Sequence, residues 1–258
     1  MELPNKPKVV VSSCLLGENV RYNGKIVKYP FLEKLKNYVD FIPVCPEVSI
    51  GLPVPRDRIV LVKEDNNYKA YQLPDGKDLT NKLKDFSNEF LNSLKDIDGF
   101  ILKAKSPSCG FQWTKTYKTP EGKSYIGRRK GIFALEVLNK YKNYPKSDEI
   151  DLEDWYKRYI FLTHLFLLSN YKNTNNKKAF ANQYADILRY ADILRLFNKK
   201  AFSQFKKNPT YQNFLNIFNK SLSKKLIERK IPYFKEKLLS NRNFKEKYLI
   251  FPEELLKN

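Results

Sequence analysis

Three cysteines, Cys14, Cys45 and Cys109, are the side chains of this chain best placed by sequence to do chemistry. They are 31 and 64 residues apart, and each lies at or just past the end of an apolar run. Lys8–Ser13 (KVVVSS) leads into Cys14, Tyr38–Val44 into Cys45, and Gly99–Lys103 into the loop holding Cys109. An odd count, with no export signal at the N-terminus, argues against a disulfide framework and for a cytoplasmic protein. Free cysteines are often small buried hydrophobes, and that is the competing reading. The neighbours speak for a site instead. Gly, Pro and Ser crowd all three positions, and Arg21, Arg56, Lys103 and Lys105 are cations that would favour thiolates.

The elements around the cysteines must bring them together. Lys8–Ser13, Tyr38–Val44 and Gly99–Lys103 read as strands. Phe31–Tyr38, Asp78–Asp96 and Gly131–Tyr141 read as helices, the second from apolar spacing at Leu79, Leu83, Phe86, Phe90, Leu91 and Leu94. Arg58–Glu64 and Tyr68–Leu73 flank an Asp-Asn-Asn hairpin signal. Alternating strands and helices predict an α/β layered domain with a mainly parallel sheet. In such a sheet the carboxyl ends of the strands share one edge, where ligands bind. The three cysteines are therefore expected to converge.

Past Tyr144-Pro145 the texture changes. Ser147–Asp154 carries five acids, and from Trp155 onward there is neither a glycine nor a credible strand. Helical patterns over 152–170, 176–200, 208–223, 224–240 and 243–256 predict an all-α C-terminal domain, with domains at 1–146 and 147–258. The hexapeptide Tyr184–Arg189 recurs as Tyr190–Arg195 and sets Asp186, Arg189, Asp192 and Arg195 three apart, a self-paired helix face. No apolar run is long enough to span a membrane.

The charge is lopsided. Lys and Arg number 48 against 28 acids, and residues 155–258 alone hold 22 basic and 7 acidic groups. That excess suggests a polyanionic partner. Lysines outnumber arginines 38 to 10, a bias that an AT-rich genome also produces, but such a bias does not account for the shortage of acids.

Three thiolates could hold zinc, with the chain's single histidine, His164, as fourth ligand; zinc sites, however, usually bring ligands in close pairs, and there is no C-x-x-C here. A cysteine-phosphatase cradle fails because Cys14 and Arg21 are one residue too far apart. An iron–sulfur cluster fits the spacing better, with one iron left without a protein ligand as an open Lewis acid.

Residues 8–140 also resemble the DUF523 family, which includes the thiouracil desulfidases. The matching pieces are Ser12–Gly17 (SSCLLG) with Val20–Gly24 (VRYNG), Pro43–Glu47 (PVCPE) with Gly51–Arg56 (GLPVPR), Gly76–Thr80 (GKDLT), and Leu102–Gly110 (LKAKSPSCG). The resemblance implies a [4Fe-4S] cluster on Cys14, Cys45 and Cys109, and non-redox removal of sulfur from a thiolated pyrimidine with hydrogen sulfide as product. Family members with a helical DUF1722 partner are similar to the desulfidases that convert 4-thiouridine in tRNA to uridine. Helical composition and domain order agree here, and Phe161–Asn170 is loosely similar to that domain's His-containing helix; its second His and its Leu-Gly pair are not seen.

Such chemistry needs a proton shuttle, and Glu47, two residues after Cys45, is the candidate. Ser106 and Ser108 are candidate donors. Ser13, Arg21, Asn23, Arg56 and Lys105 are candidate substrate-binding residues. Residues two apart share a face only while a strand continues, so Lys103 and Lys105 are not both expected to point into the site. The expectation is a desulfidase acting on tRNA 4-thiouridine. The alternatives are the same chemistry on free thiouracil or another small thio-compound, and a non-catalytic, metal-stapled RNA-binding protein.

Overall fold

The computed structural model describes residues 6–65, 67–172, 191–220 and 222–257. They fall into two compact units. One is Lys8–Lys142 with Lys146–Ile150; the other is chiefly Asn143–Pro145 with Asp151–Asn258.

The first unit is built on a four-stranded parallel sheet. Its strands are β1 (Lys8–Ser12), β2 (Asp40–Val44), β6 (Gly99–Leu102) and β9 (Lys146–Asp148), in the order β2-β1-β6-β9. Val9, Val10 and Val11 are fully buried, as a central parallel strand covered on both faces requires. Ser12 stands opposite Val44, and Val11 opposite Ile101, so β1, β2 and β6 end together at one edge. Helix α1 (Pro30–Leu35) connects β1 to β2, and α2 (Pro46–Ser49) follows β2 directly.

A second, mixed sheet has the order β5-β4-β3-β7-β8. It comprises the hairpin β3 (Ile59–Glu64) and β4 (Asn67–Gln72), the short β5 (Lys77–Asp78), and the hairpin β7 (Thr114–Tyr117) and β8 (Tyr125–Arg129). Helices α3 (Thr80–Ser93) and α4 (Ile132–Lys140) close its core, where Leu61, Ala70, Leu79 and Leu83 are buried.

Every strand and helix expected in residues 8–141 forms, within a few residues. The elements missed are α2, β5, β7, β8 and β9. Strand β9 runs into the acidic stretch Ser147–Asp154. Its Lys-Ser-Asp sequence has no apolar alternation, yet Ser147 and Asp148 are buried beside β6.

The second unit is helical in its described part: α5 (Trp155–Lys172), α6 (Ala191–Lys207), α7 (Tyr211–Leu215), α8 (Lys224–Lys230), α9 (Phe234–Ser240) and α10 (Arg242–Tyr248). Its aromatics make the core: Tyr171 stacks on Phe214 with ring centroids 4.2 Å apart, and His164 stacks on Phe218 at 3.8 Å. The expected helix over 224–240 is broken after Lys230. Pro232 cannot continue the ladder, and Tyr233 turns to φ 58° before α9 begins. Helix α6 is interrupted at Asn198, which takes φ −159° and ψ 97°. Of the hexapeptide repeat, Asp192 and Arg195 pair at 2.9 Å on an exposed face; Asp186 and Arg189 lie outside the described residues. No described helix is long and apolar enough to cross a membrane.

Candidate active site

All three cysteines border one cavity of about 750 Å³ at the carboxyl edge of the parallel sheet. Cys14 sits in a single 3-10 turn after β1, Ser13–Leu16, which Gly17 closes at φ 84°. That left-handed angle favours glycine, which has no Cβ to clash there. Cys45 ends β2 and starts α2, with Pro46 preset for the first helical position. Its Sγ faces the Val20 carbonyl at 3.8 Å.

Cys109 is held by the most constrained loop in the unit. Ser106 Oγ accepts from the Ser108 and Cys109 amides at 3.2 and 3.0 Å. The Ser106 carbonyl accepts from the Gly110 amide and from Thr114 Oγ1 at 3.0 and 2.8 Å. The start of α4 closes the loop from the other side, as the Ile132 and Ala134 amides donate to the Pro107 and Ser108 carbonyls at 3.0 Å each. A side chain at Gly131 would bring its Cβ within 2.5 Å of the Ser108 carbonyl oxygen. Gly131→Ala should therefore push the cysteine loop off α4 and cost about 1–3 kcal/mol, the usual scale of overpacking, read as a fall in the urea midpoint at unchanged slope.

Burial acts on the thiols more strongly than the nearby cations do. Cys14 is pushed up to about 12 by burial and by Cys45; Lys103 and Arg21 pull it down less. Burial also raises Cys45, and it raises Cys109 well above the ordinary thiol range. The expected thiolates are thus protonated thiols in the metal-free protein. A bound metal group would supply the missing positive charge and displace the protons.

Among the described residues, no three His, Cys, Asp or Glu side chains stand close enough to hold a single metal ion. His164, the fourth ligand of the zinc alternative, is packed on Phe218 within the helical unit. The three thiols bordering one cavity are the donor set present for a group that takes one thiolate at each of several corners.

Glu47 lines the same cavity, on the first turn of α2. Its Oε2 accepts from Arg56 Nη2 at 2.8 Å and Nε at 2.9 Å, and its Oε1 accepts from Ser108 Oγ at 3.0 Å. The side chains of Arg56 and Glu47 are only 3% and 12% exposed, so the pair is shielded from solvent screening. Arg56 also donates to the Val20 and Pro53 carbonyls at 3.0 and 3.3 Å, which ties the loops after β1 and α2 to the carboxylate.

Ser13, Arg21, Ser106 and Lys105 line the cavity; Ser108 and Asn23 do not. Ser108 is fully buried behind Glu47, and Asn23 Oδ1 accepts from the Lys25 amide at 3.2 Å in a turn. Lys103 and Lys105 nonetheless both border the cavity; β6 ends at Leu102 and Lys105 takes φ 62°, so the loop and not strand alternation brings them there.

Two features escape the sequence reading. Glu149, just after β9, is 7% exposed; its carboxylate pairs with Lys103 Nζ and accepts from the Ala104 amide at 2.8 Å. Burial works against the Lys103 charge, and Glu149 more than offsets it, so that lysine titrates above its ordinary value. The other is Trp113, 46% exposed at the cavity with the Arg128 guanidinium 4.8 Å from its ring centroid. Acidic surroundings hid the first, and a loop position hid the second.

A model of the 2-thiouracil desulfurase family matches residues 9–149. The protein YbbK of Bacillus subtilis (strain 168), whose curated description is "uncharacterized", is 31% identical over 155 residues, 57% of this chain and 98% of YbbK. A solved structure titled as the [4Fe-4S]-dependent thiouracil desulfidase TudS is 25% identical, covers 57% of this chain and 94% of its own, and superposes with a TM-score of 0.43.

Proposed function

This chain belongs to the 2-thiouracil desulfurase family, and from that premise we propose that it replaces the thiocarbonyl sulfur of 4-thiouridine in tRNA by oxygen, giving uridine and hydrogen sulfide. Cys14, Cys45 and Cys109 hold a [4Fe-4S] cluster in this reading. The observation that carries it is the gathering of three thiols from three separate loops around one cavity, with the largely shielded Glu47 carboxylate on the same cavity. When bound, the cluster supplies an iron with no protein ligand, a Lewis acid suited to soft sulfur.

The chain's own residues do the rest. Glu47 takes a proton from the water that adds to the thiolated carbon and passes it to the sulfur. It then takes the remaining hydroxyl proton as the adduct collapses to the carbonyl and the C–S bond breaks, and gives that one too to the departing sulfide. Ser108, bonded to Oε1, holds the carboxylate in place, while Arg56 stabilises its charge. Arg21, Lys103 and Lys105 give the cavity a positive wall that suits the substrate's polar edge.

The excess of 22 basic over 7 acidic groups in residues 155–258 supports a tRNA substrate. Lys199, Lys200, Lys206, Lys207, Lys224 and Lys225 are all exposed, so they are available to phosphates. A second reading, free thiouracil as substrate, is favoured by the family's description, which names that base. Side-by-side kinetics on the full anaerobic protein separate the two. The tRNA reading expects kcat/KM on 4-thiouridine tRNA to exceed that on free 4-thiouracil by about a hundredfold or more, since remote binding energy lowers the barrier. It also expects tRNA affinity to fall with salt by about 0.7–0.9 log units per log unit for each phosphate engaged. Equal kcat/KM on both, with tRNA affinity flat in salt, would hand the substrate to the small-molecule reading.

A further inference from the structure

The β7–β8 hairpin carries a second basic surface, which borders the catalytic cavity on one face and extends to a separate groove on the other. Between Thr114 and Lys130 there are six cations, Lys115, Lys118, Lys123, Arg128, Arg129 and Lys130, against one acid, Glu121. All six are exposed. The hairpin has two working faces. Lys115, Tyr117 and Arg128 border the catalytic cavity. The other face forms a groove of about 250 Å³, where Lys63, Lys118 and Arg129 meet Tyr68 and Ile126 with no acid in the lining.

Among the described residues no ion pair engages Lys63, Lys118 or Arg129. A folded protein gains little from clustering like charges with no counter-charge, so the groove is arranged for an external anion. Its aromatics narrow the choice. The Arg129 guanidinium lies 5.1 Å from the Tyr68 ring centroid, and its Nε donates to the Tyr68 hydroxyl at 2.7 Å. Tyr125 and Ile126 are 54% and 38% exposed on the same hairpin. A cationic groove with one half-buried ring, Tyr68, and a second, exposed ring, Tyr125, on the adjoining strand matches the pattern that tracks a nucleic-acid strand, with cations on phosphates and rings against bases.

We propose that the β7–β8 hairpin is an RNA grip of the catalytic unit itself. A strand whose target base enters the cavity lays a flanking phosphate on Lys115 and Arg128, and the next ones in the groove of Lys63, Lys118 and Arg129. This rests on the tRNA reading above and assigns part of the binding to a surface distinct from the helical lysines.

The test uses the full-length protein carrying Lys63→Gln, Lys118→Gln and Arg129→Gln together, with 4-thiouridine-bearing tRNA as probe. The expected result is a salt slope shallower by about 2, three contacts at about 0.7 each, and affinity lower by about tenfold or more near physiological salt. Turnover of free 4-thiouracil, which does not reach the groove, stays at the unmodified level. Lys118→Glu alone gives the same direction and guards against misfolding of the triple variant. Unchanged tRNA affinity and slope in both would overturn the proposal. A protein that binds tRNA through the hairpin in this way, yet releases no sulfide from any thiolated uracil, would sink the desulfidase reading and leave the grip standing.

Discussion

Replacing Cys14, Cys45 or Cys109 singly by serine is expected to abolish the cluster and all desulfidation. The unmodified protein, purified without oxygen, should be brown and contain about four irons per chain. The expectation follows from the way the three positions are supplied. Each thiol comes from a different loop, at the ends of the adjacent strands β2, β1 and β6, so each supplies a separate corner of the site. The protonated, buried state of the metal-free thiols adds a second consequence: loading should release protons and favour mildly alkaline conditions, because each thiol must ionise to become a ligand. A serine variant at any of the three that kept full iron content and activity would contradict the three-ligand assignment.

The second large effect is expected at Glu47. Glu47→Gln should keep the iron and lower turnover by about a hundredfold or more, the usual scale for loss of a general acid–base group. It should also lower stability, since Arg56, with a side chain only 3% exposed, loses its counter-charge. Two readouts separate the roles. Arg56→Lys retains the charge but gives up the two-nitrogen grip on Oε2, so it should lose far less turnover than Glu47→Gln if the carboxylate handles the proton. If Glu47→Gln turns over at near-normal rate while its urea midpoint falls, Glu47 serves only to tie the loops together.

Much of this arrangement was legible in the chain before any coordinates. The run Val9–Val11 and the apolar stretch before Cys109 mark strands buried on both faces, the stretch before Cys45 marks their edge neighbour, and parallel strands present their carboxyl ends together. From that alone the cysteines had to meet. What was not legible depends on contacts made far along the sequence. Strand β9 has a polar sequence and becomes a strand because β6 offers an unpaired edge, so neither its pairing nor the delivery of Glu149 to Lys103 could be read locally. Trp113 reaches the cavity through a backbone angle of φ 70°, which no spacing pattern encodes for a tryptophan. The Glu47–Arg56 pair was hidden in a different way. Both residues stood out singly, but only the folded loops show that one neutralises the other.

The central claim is a hydrolytic exchange of sulfur for oxygen at the cavity that Cys14, Cys45, Cys109 and Glu47 share. The most direct test incubates the anaerobic, iron-loaded protein with 4-thiouridine tRNA, without any electron donor, and counts sulfide and uridine together. The account predicts one hydrogen sulfide for each uridine formed, over many turnovers. No sulfide from loaded protein, or sulfide only when a reductant is supplied, would contradict it.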